Sequence, residues 1–319
     1  MNLSRRDFLR STVAAGVLAA TPGHLYAKGE QPVDSDRLIQ AAEAPVLKTE
    51  YFKSPVKIES VELIRNGRNF LVRATSTDGA VGIGAPNNAR LIHYYPILLN
   101  CVAPHFVGKD ARDLDALIDG VFLRGSNYKM QGQALWVPVA AVEVAVLELL
   151  GQVARQPVGE LLGGVLRRDI DVYRASGHRG NTPEEEVEYL KQLVAETGAK
   201  AVKFRLGGRM SKNADSLPGR TERLIALARE ELGDEMTLYA DANGSYDVPK
   251  AIEIGRLMEA VNAAFYEEPC PFDHLEETRQ VAEALTIPIA LGEQESSMRR
   301  FRWTIENNVA QVIQPDLHY

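Results

Sequence analysis

The sequence predicts an α/β protein in which a small α+β domain precedes a (β/α) barrel that runs for six of its eight units. Three observations predict it. After Gly164, short β-branched runs alternate with amphipathic segments, the pattern of strands joined through helices into a parallel sheet. The strands of that alternation end on polar residues, as an active site at the C-terminal mouth of a barrel requires. Ahead of Gly164 the texture differs, with paired strand-like runs followed by helical periodicity.

In order along the chain, Ser4-Arg5-Arg6-Asp7-Phe8-Leu9-Arg10 leads into the small apolar stretch Val13 to Ala20. A positive region, then an apolar one, then small residues is export-signal architecture, and the arginine pair with Phe-Leu behind it is of twin-arginine type. Residues 1–27 are therefore set aside as a signal, and a bacterial periplasmic or exported protein is expected. Residues 28–55 show no strong period and read as a loosely ordered arm. From Val56 to Gly84, apolar runs punctuated by Asn66-Gly67 and Asp78-Gly79 predict a small antiparallel sheet. Trp136 to Ala154 is almost wholly apolar, interrupted by Glu143 and Glu148, and predicts a buried helix packed between domains or subunits. The first domain thus covers 56–164.

Residues 165–319 carry the barrel. Its strands are expected at Ile170–Ala175, Ala201–Arg205, Thr237–Asp241, Ala264–Glu267, Ile287–Leu291 and Ala310–Gln314. Helices are expected at Pro183–Thr197, Arg220–Leu232, Val248–Val261, Leu275–Leu285 and Met298–Asn307. Pro183, just after Thr182, suits the first turn of a helix.

The chain of 319 residues carries a net charge of −7, against the basic stripe of a nucleic-acid-binding protein. Its two cysteines, Cys101 and Cys270, form no CxxC pair, which excludes a cysteine-rich zinc site. No uninterrupted apolar run reaches the roughly 18 residues of a membrane span.

The strand ends hold the chemistry. Asp241, Glu267 and Glu293 follow three successive strands at equal intervals of 26 positions, from 241 to 267 and from 267 to 293. One strand-helix unit per step sets the three at one height around the mouth. Converging carboxylates repel unless neutralised, and the hard-cation answer is Mg²⁺. A single acid at a strand end is as well explained as a helix cap or a solvated charge; three at equal spacing are not. Lys203 and Arg205, two apart on the second strand, both face the barrel interior. Arginine stays protonated, so Arg205 is a poor base and a good carboxylate clamp; two structural cations offsetting buried acids is the competing reading.

These words, Asp241-Ala242-Asn243, Glu267-Glu268-Pro269, Gly292-Glu293 and Gln314-Pro315-Asp316, resemble the mandelate racemase and muconate lactonizing enzyme group of the enolase superfamily. The resemblance spans 56–319. It implies a barrel of enolase-superfamily type behind an N-terminal capping domain, with Asp241, Glu267 and Glu293 as Mg²⁺ ligands. Asn243 and Glu268 would orient those ligands. Asp316 matches the aspartate that, in the family, partners a histidine on the seventh strand. That histidine is not present, and His318 stands two residues after Asp316. His178 follows the first strand without an evident partner. The sequence stops at Tyr319, after the sixth strand, so two units of the eight are expected to be missing.

The substrate implied is a small-molecule carboxylate. The first expectation is a Mg²⁺-dependent acid-sugar dehydratase that removes the proton α to the carboxylate through a stabilised enediolate. The catalytic residues are then Lys203, Arg205 and Asp316. The alternatives are a racemase, epimerase or cycloisomerase of the same superfamily, and an inactive truncated remnant that keeps only the metal site. Capping loops 84–90 and 124–132, with Arg124, Asn127, Tyr128 and Lys129, are candidates for substrate contact. A homo-oligomer is possible through the Trp136–Ala154 helix.

Overall fold

The computed structural model describes residues 34–319, so the twin-arginine segment lies outside the described residues. Two compact units are present among the described residues, one formed by 42–168 with 316–319, the other by 169–315 with 34–41.

The arm is more ordered than its sequence suggests. Helix α1 (Ser35–Glu43) starts where the Asp34 carboxylate accepts from the backbone N–H of Arg37 at 3.0 Å, satisfying one of the free donors of a first helical turn.

The first unit is built on an antiparallel sheet, β1 (Ile58–Asn66), β2 (Asn69–Ser76) and β3 (Val81–Gly84), in sequential order. The short loop at Gly67, with φ of 62°, joins β1 to β2 in the left-handed backbone that a tight hairpin needs. Helices α2 (Asn88–Ile97), α3 (Ala103–Phe106), α4 (Leu114–Leu123), α5 (Gln133–Ala154) and α6 (Val158–Leu161) follow. Phe70, Val72 and Ala74 alternate inward from β2 to meet Val142, Val146 and Leu149 of α5 in one core.

The apolar α5 is therefore the core helix of this unit. It packs on β2, β3 and α2, which corrects the expectation of a helix reserved for a domain or subunit junction. At 22 residues it is long and apolar enough to cross a bilayer by composition, yet most of its surface is buried against the sheet. Two details explain its sequence. Glu148 accepts from the exposed-edge N–H of Ile83 at 3.0 Å, so one of its acids finishes the edge of β3. Gly82 lies against the helix backbone, where a Cβ would overlap the Ala145 carbonyl and the Leu149 amide. Gly82→Ala is expected to destabilise by about 1–3 kcal/mol through overpacking. Urea denaturation checks this, and a change within about 0.5 kcal/mol, as at an ordinary surface site, would count against the packing account.

The second unit is a six-stranded parallel sheet in sequential order: β4 (Arg174–Ala175), β5 (Ala201–Arg205), β6 (Thr237–Asp241), β7 (Phe265–Glu267), β8 (Ile289–Leu291) and β9 (Val312–Ile313). Each consecutive pair of strands is linked through one helix: α7 (Pro183–Thr197), α8 (Arg220–Leu232), α9 (Val248–Ala260), α10 (Leu275–Ala284) and α11 (Met298–Glu306). This is the strand-helix order of an enolase-type α/β barrel, here an open arc. Outward-facing Val202, Phe204, Leu238 and Ala240 join Leu190, Leu224, Ile254 and Val281 from the helices in a second core.

The helix bounds agree with the sequence expectation to within a residue at each end. At α7, Thr182 and Glu185 form a reciprocal capping box at 3.2 and 2.8 Å, with Pro183 in the first turn. The strands Ala201–Arg205 and Thr237–Asp241 keep their expected bounds, and the other four are shorter than expected. Ile170 and Val172, 70% and 72% exposed, lie outside β4, because at the sheet edge nothing pairs with them to hold the ladder. The expected strands from Ala264, Ile287 and Ala310 begin one or two residues late, at Phe265, Ile289 and Val312.

Candidate active site

Strand register lines up the charged side chains. Arg205 pairs with Asp241 across β5 and β6, and Asp241 pairs with Glu267 across β6 and β7, so the three stand side by side in one row. Two residues earlier on the same face lie Tyr239 and Phe265, whose rings stack at 4.1 Å and floor the row. Lys203 stands in the row of Tyr239, with its ammonium 5.0 Å from the Tyr173 ring centroid. It reaches up to donate to Glu267 Oε2 at 2.6 Å and lies 3.9 Å from Asp241 Oδ2.

Asp241 and Glu267 are fully buried, and Lys203 is 4% exposed. Isolated charges at such depth are strongly disfavoured, and Lys203 sets a cation against both acids. Arg205 completes this by pairing with Asp241 Oδ2. The reading of Lys203 and Arg205 as inward-facing cations beside the acids matches this geometry.

Asn243 organises the next layer. Its backbone N–H and side-chain Nδ2 donate to Asp241 at 2.8 and 3.1 Å, and Nδ2 also donates to Glu268 Oε2 at 3.1 Å. Its Oδ1 accepts from Arg179, Arg205 and Arg209 at 2.6, 3.2 and 3.2 Å. Only donors surround one end of this amide and only acceptors the other, which fixes its orientation. Both Asn243 and Glu268 adopt left-handed backbone, with φ of 42° and 43°; asparagine tolerates that conformation, whereas for glutamate it is a strained choice held by its surroundings. Burial pushes the Glu268 carboxyl up to about 7, against the Asn243 hydrogen bond and with help from the charges of Glu293 and Glu267.

Glu293 does not join the row. Glu267 pairs with Ala290, so Glu293 lies three positions further on, beyond Gly292 with its φ of 128°. Equal spacing in sequence therefore does not give equal height: β8 turns away at Gly292. Glu293 takes a hydrogen bond from Gln294 at 3.1 Å, and its charge acts on the Glu268 carboxyl.

Among the described residues no three acidic, histidine or cysteine side chains gather closely enough to cage an ion; the acids are engaged by Lys203, Arg205 and Asn243 instead. The donors nevertheless fit a hard divalent cation. All are carboxylate oxygens, and Glu267 Oε1 and Glu268 Oε1 are buried without a hydrogen-bond partner among the described residues. A buried carboxylate oxygen lacking a proton donor is a free coordination position.

Beyond the strand ends, backbone hydrogen bonds continue from one loop to the next. Leu206 donates to Asp241, Ala242 to Glu267, Gly244 and Met210 to Glu268 and Asn243, and Glu268 to Ala290, at 2.8–3.0 Å. The segments that carry the acids are thus laced together after the ladder itself has ended.

Asp316 groups with the first unit, where its carboxylate bonds the His318 ring at 2.9 Å. His178, without an evident partner in the sequence, lies 3.8 Å from the buried Glu186, and its ring is tilted 47° to that of Tyr189 with centroids 4.6 Å apart. In the capping loops, Asn127 is buried and donates to the Val121 carbonyl, and Arg124 donates to that of Cys101, so both serve the local backbone. Sequence reasoning missed Arg179 and Arg209. Each is an arginine set beside glycine just after a strand, in Arg179-Gly180 and Gly207-Gly208-Arg209, and that was the available signal.

Residues 41–163 match the mandelate racemase / muconate lactonizing enzyme N-terminal domain, and residues 185–319 match the enolase C-terminal domain-like family. A protein from Roseobacter denitrificans, provisionally called a racemase, is 35% identical and superposes with a TM-score of 0.76 over 82% of this chain and 71% of that one. The chain belongs to the mandelate racemase/muconate lactonizing enzyme group of the enolase superfamily.

Within that group it is 31% identical over 217 residues to an L-talarate/galactarate dehydratase from Salmonella typhimurium, covering 67% of this chain and 52% of that one. A mandelate racemase/muconate lactonizing protein from Paracoccus denitrificans, solved in complex with magnesium, is 27% identical with a TM-score of 0.73 over 82% of this chain and 72% of that one. The chain spans about half the length of the curated relatives it matches.

Proposed function

We propose that this protein is a Mg²⁺-dependent dehydratase of acid sugars. The observation that carries the reading is the row of Arg205, Asp241 and Glu267 with Lys203 beneath it, two fixed cations against two buried acids at the strand ends. The dehydratase relatives support the substrate class, an α-hydroxy carboxylate.

Asp241, Glu267 and Glu293 would hold the metal, with Asn243 and Glu268 orienting them. Bound there, Mg²⁺ would supply charge stabilisation for the substrate carboxylate and so acidify its α-proton. Lys203 Nζ, held by Glu267, contributes positive charge to the side of the site where the carboxylate becomes more negative. Arg205 offers a planar pair of donors for a carboxylate. The Tyr239 and Phe265 rings keep water from beneath the row, which strengthens each of these interactions.

Loss of the α-proton and the β-hydroxyl leaves an enol that tautomerises to a 2-keto-3-deoxy acid. The full chain, supplied with Mg²⁺ and a panel of hexonates and hexarates, is expected to yield that product from at least one acid. Solvent deuterium incorporated at Cα without loss of hydroxyl would move the assignment to an epimerase. Neither product nor exchange across the panel would remove it.

A further inference from the structure

Arg220 opens α8 and is 1% exposed. A cation in the first turn of a helix meets the positive end of the helix dipole, and burial disfavours its charge further. Burial accordingly holds its pKa below the ordinary arginine value, against the pull of Glu186, Asp215 and Tyr246. A guanidinium kept in so unfavourable a place must be held there by what it bonds. Its Nε donates to the Asn181 carbonyl, Nη1 to the Arg205 carbonyl and Nη2 to the His178 carbonyl, at 2.7, 2.9 and 3.4 Å. His178 and Asn181 lie on the loop after β4, and Arg205 ends β5, so one side chain staples the two together.

The same loop is gripped from α7. Asn181 Nδ2 donates to Oε2 of the fully buried Glu186 at 3.0 Å, and the other Glu186 oxygen is buried without a hydrogen-bond partner among the described residues. What the staple fixes is the approach to Asn243. Arg179, between the two held carbonyls of the loop, donates to Asn243 Oδ1 at 2.6 Å, and Arg205 donates to the same oxygen at 3.2 Å. The other end of that amide donates to Asp241 and to Glu268, at 3.1 Å each. From Arg220 to the acids the path therefore runs through the held backbone, two guanidinium groups and one amide.

Arg229, in the last turn of the same helix, gives a comparison. It donates to the carbonyls of Gly233, Met236, Val261 and Asn262 at 2.6–3.3 Å. Those carbonyls precede β6 and β7, at the end of the strands away from the acids. The two staples are alike in chemistry and differ in what they hold. We propose that Arg220 is a positioning residue for the site: it sets Arg179 and Arg205 where they orient the Asn243 amide and, through it, the Asp241 and Glu268 carboxylates. The proposal rests on the Mg²⁺ reading only for what those carboxylates bind.

NMR of the metal-free full chain with nitrogen-labelled asparagine, read at the Asn243 side-chain amide, tests this with Arg220→Lys and Arg229→Lys. Lysine keeps each charge and loses the planar fork that spans several carbonyls. Arg220→Lys is expected to shift the Asn243 amide resonance. It is also expected to weaken Mg²⁺ binding, measured by calorimetry, by about threefold or more, toward the roughly 10–100-fold that loss of an outer-shell partner costs. Arg229→Lys is expected to leave both readings as in the wild type. An Asn243 signal unmoved by Arg220→Lys, or moved as far by Arg229→Lys, would overturn the proposal and give Arg220 a purely structural part. So would a shifted signal with Mg²⁺ affinity unchanged. Should Arg220→Lys fail to fold in urea denaturation, Asn181→Ala, which removes the Glu186 contact, takes its place under the same criteria. A wild type that binds no Mg²⁺ would overturn the metal reading, and the Asn243 signal would then decide the staple alone.

Discussion

Glu267→Gln is expected to weaken Mg²⁺ binding by more than the roughly 10–100-fold that loss of an outer-shell partner costs. Glutamine keeps the shape of the side chain and still accepts from Lys203, so the substitution removes charge and a coordinating oxygen while leaving the packing of β7 intact. Glu267 is the choice because its Oε1 is buried and unpartnered among the described residues, aimed at nothing the protein itself supplies. Titration of Mg²⁺ by calorimetry, alongside urea denaturation to confirm an unchanged fold, reads the effect. Affinity within about threefold of the wild type would remove Glu267 from the ligand set. Glu293→Gln, measured in the same way, tests the residue that stands outside the row.

Lys203→Met is expected to be the most destabilising single change in the second unit, by about 3–5 kcal/mol in the absence of metal. The ammonium is 5% exposed and sits 2.6 Å from one fully buried carboxylate and 3.9 Å from another. Methionine fills similar volume, so the loss measures charge: Asp241 would keep Arg205, and Glu267 would keep no paired cation among the described residues. Mg²⁺ brings two positive charges to the same acids. The variant should therefore gain more stability from saturating Mg²⁺ than the wild type does, because whatever binds only the folded state stabilises it in proportion to its affinity there. Denaturation with and without Mg²⁺ provides the comparison. An equal gain in both proteins would mean that Lys203 and the metal do not share these carboxylates.

How much of this was legible beforehand follows the range of the interactions. Helix bounds were legible because their signals are local: Thr182-Pro183 with Glu185 opens α7, and the Asp247 side chain caps α9 from its first turn. Asp241 and Glu267 were legible as neighbours because adjacent parallel strands of similar context share register. Glu293 was not, since its height depends on how the backbone leaves β8 at Gly292, which spacing alone does not encode. Ile170 and Val172 carry strong β propensity but occupy an edge, and propensity without a partner does not make a strand. The meeting of Arg179, Arg205 and Arg209 joins two loops and the end of β5, and it is visible only once the register of β4, β5 and β6 is known.

The lacing of the mouth loops separates two kinds of heredity in this site. Asp241, Glu267 and Glu268 are located by backbone bonds, their carbonyls accepting from the amides of Leu206, Ala242 and Gly244 and the Glu268 amide donating to the Ala290 carbonyl, groups that every residue except proline carries in full. Side chains on those loops can be exchanged without disturbing the coordinates of the acids. Met210 and Lys212 then hang their side chains on a frame set by backbone bonds, free to vary while the acids stay where that frame puts them.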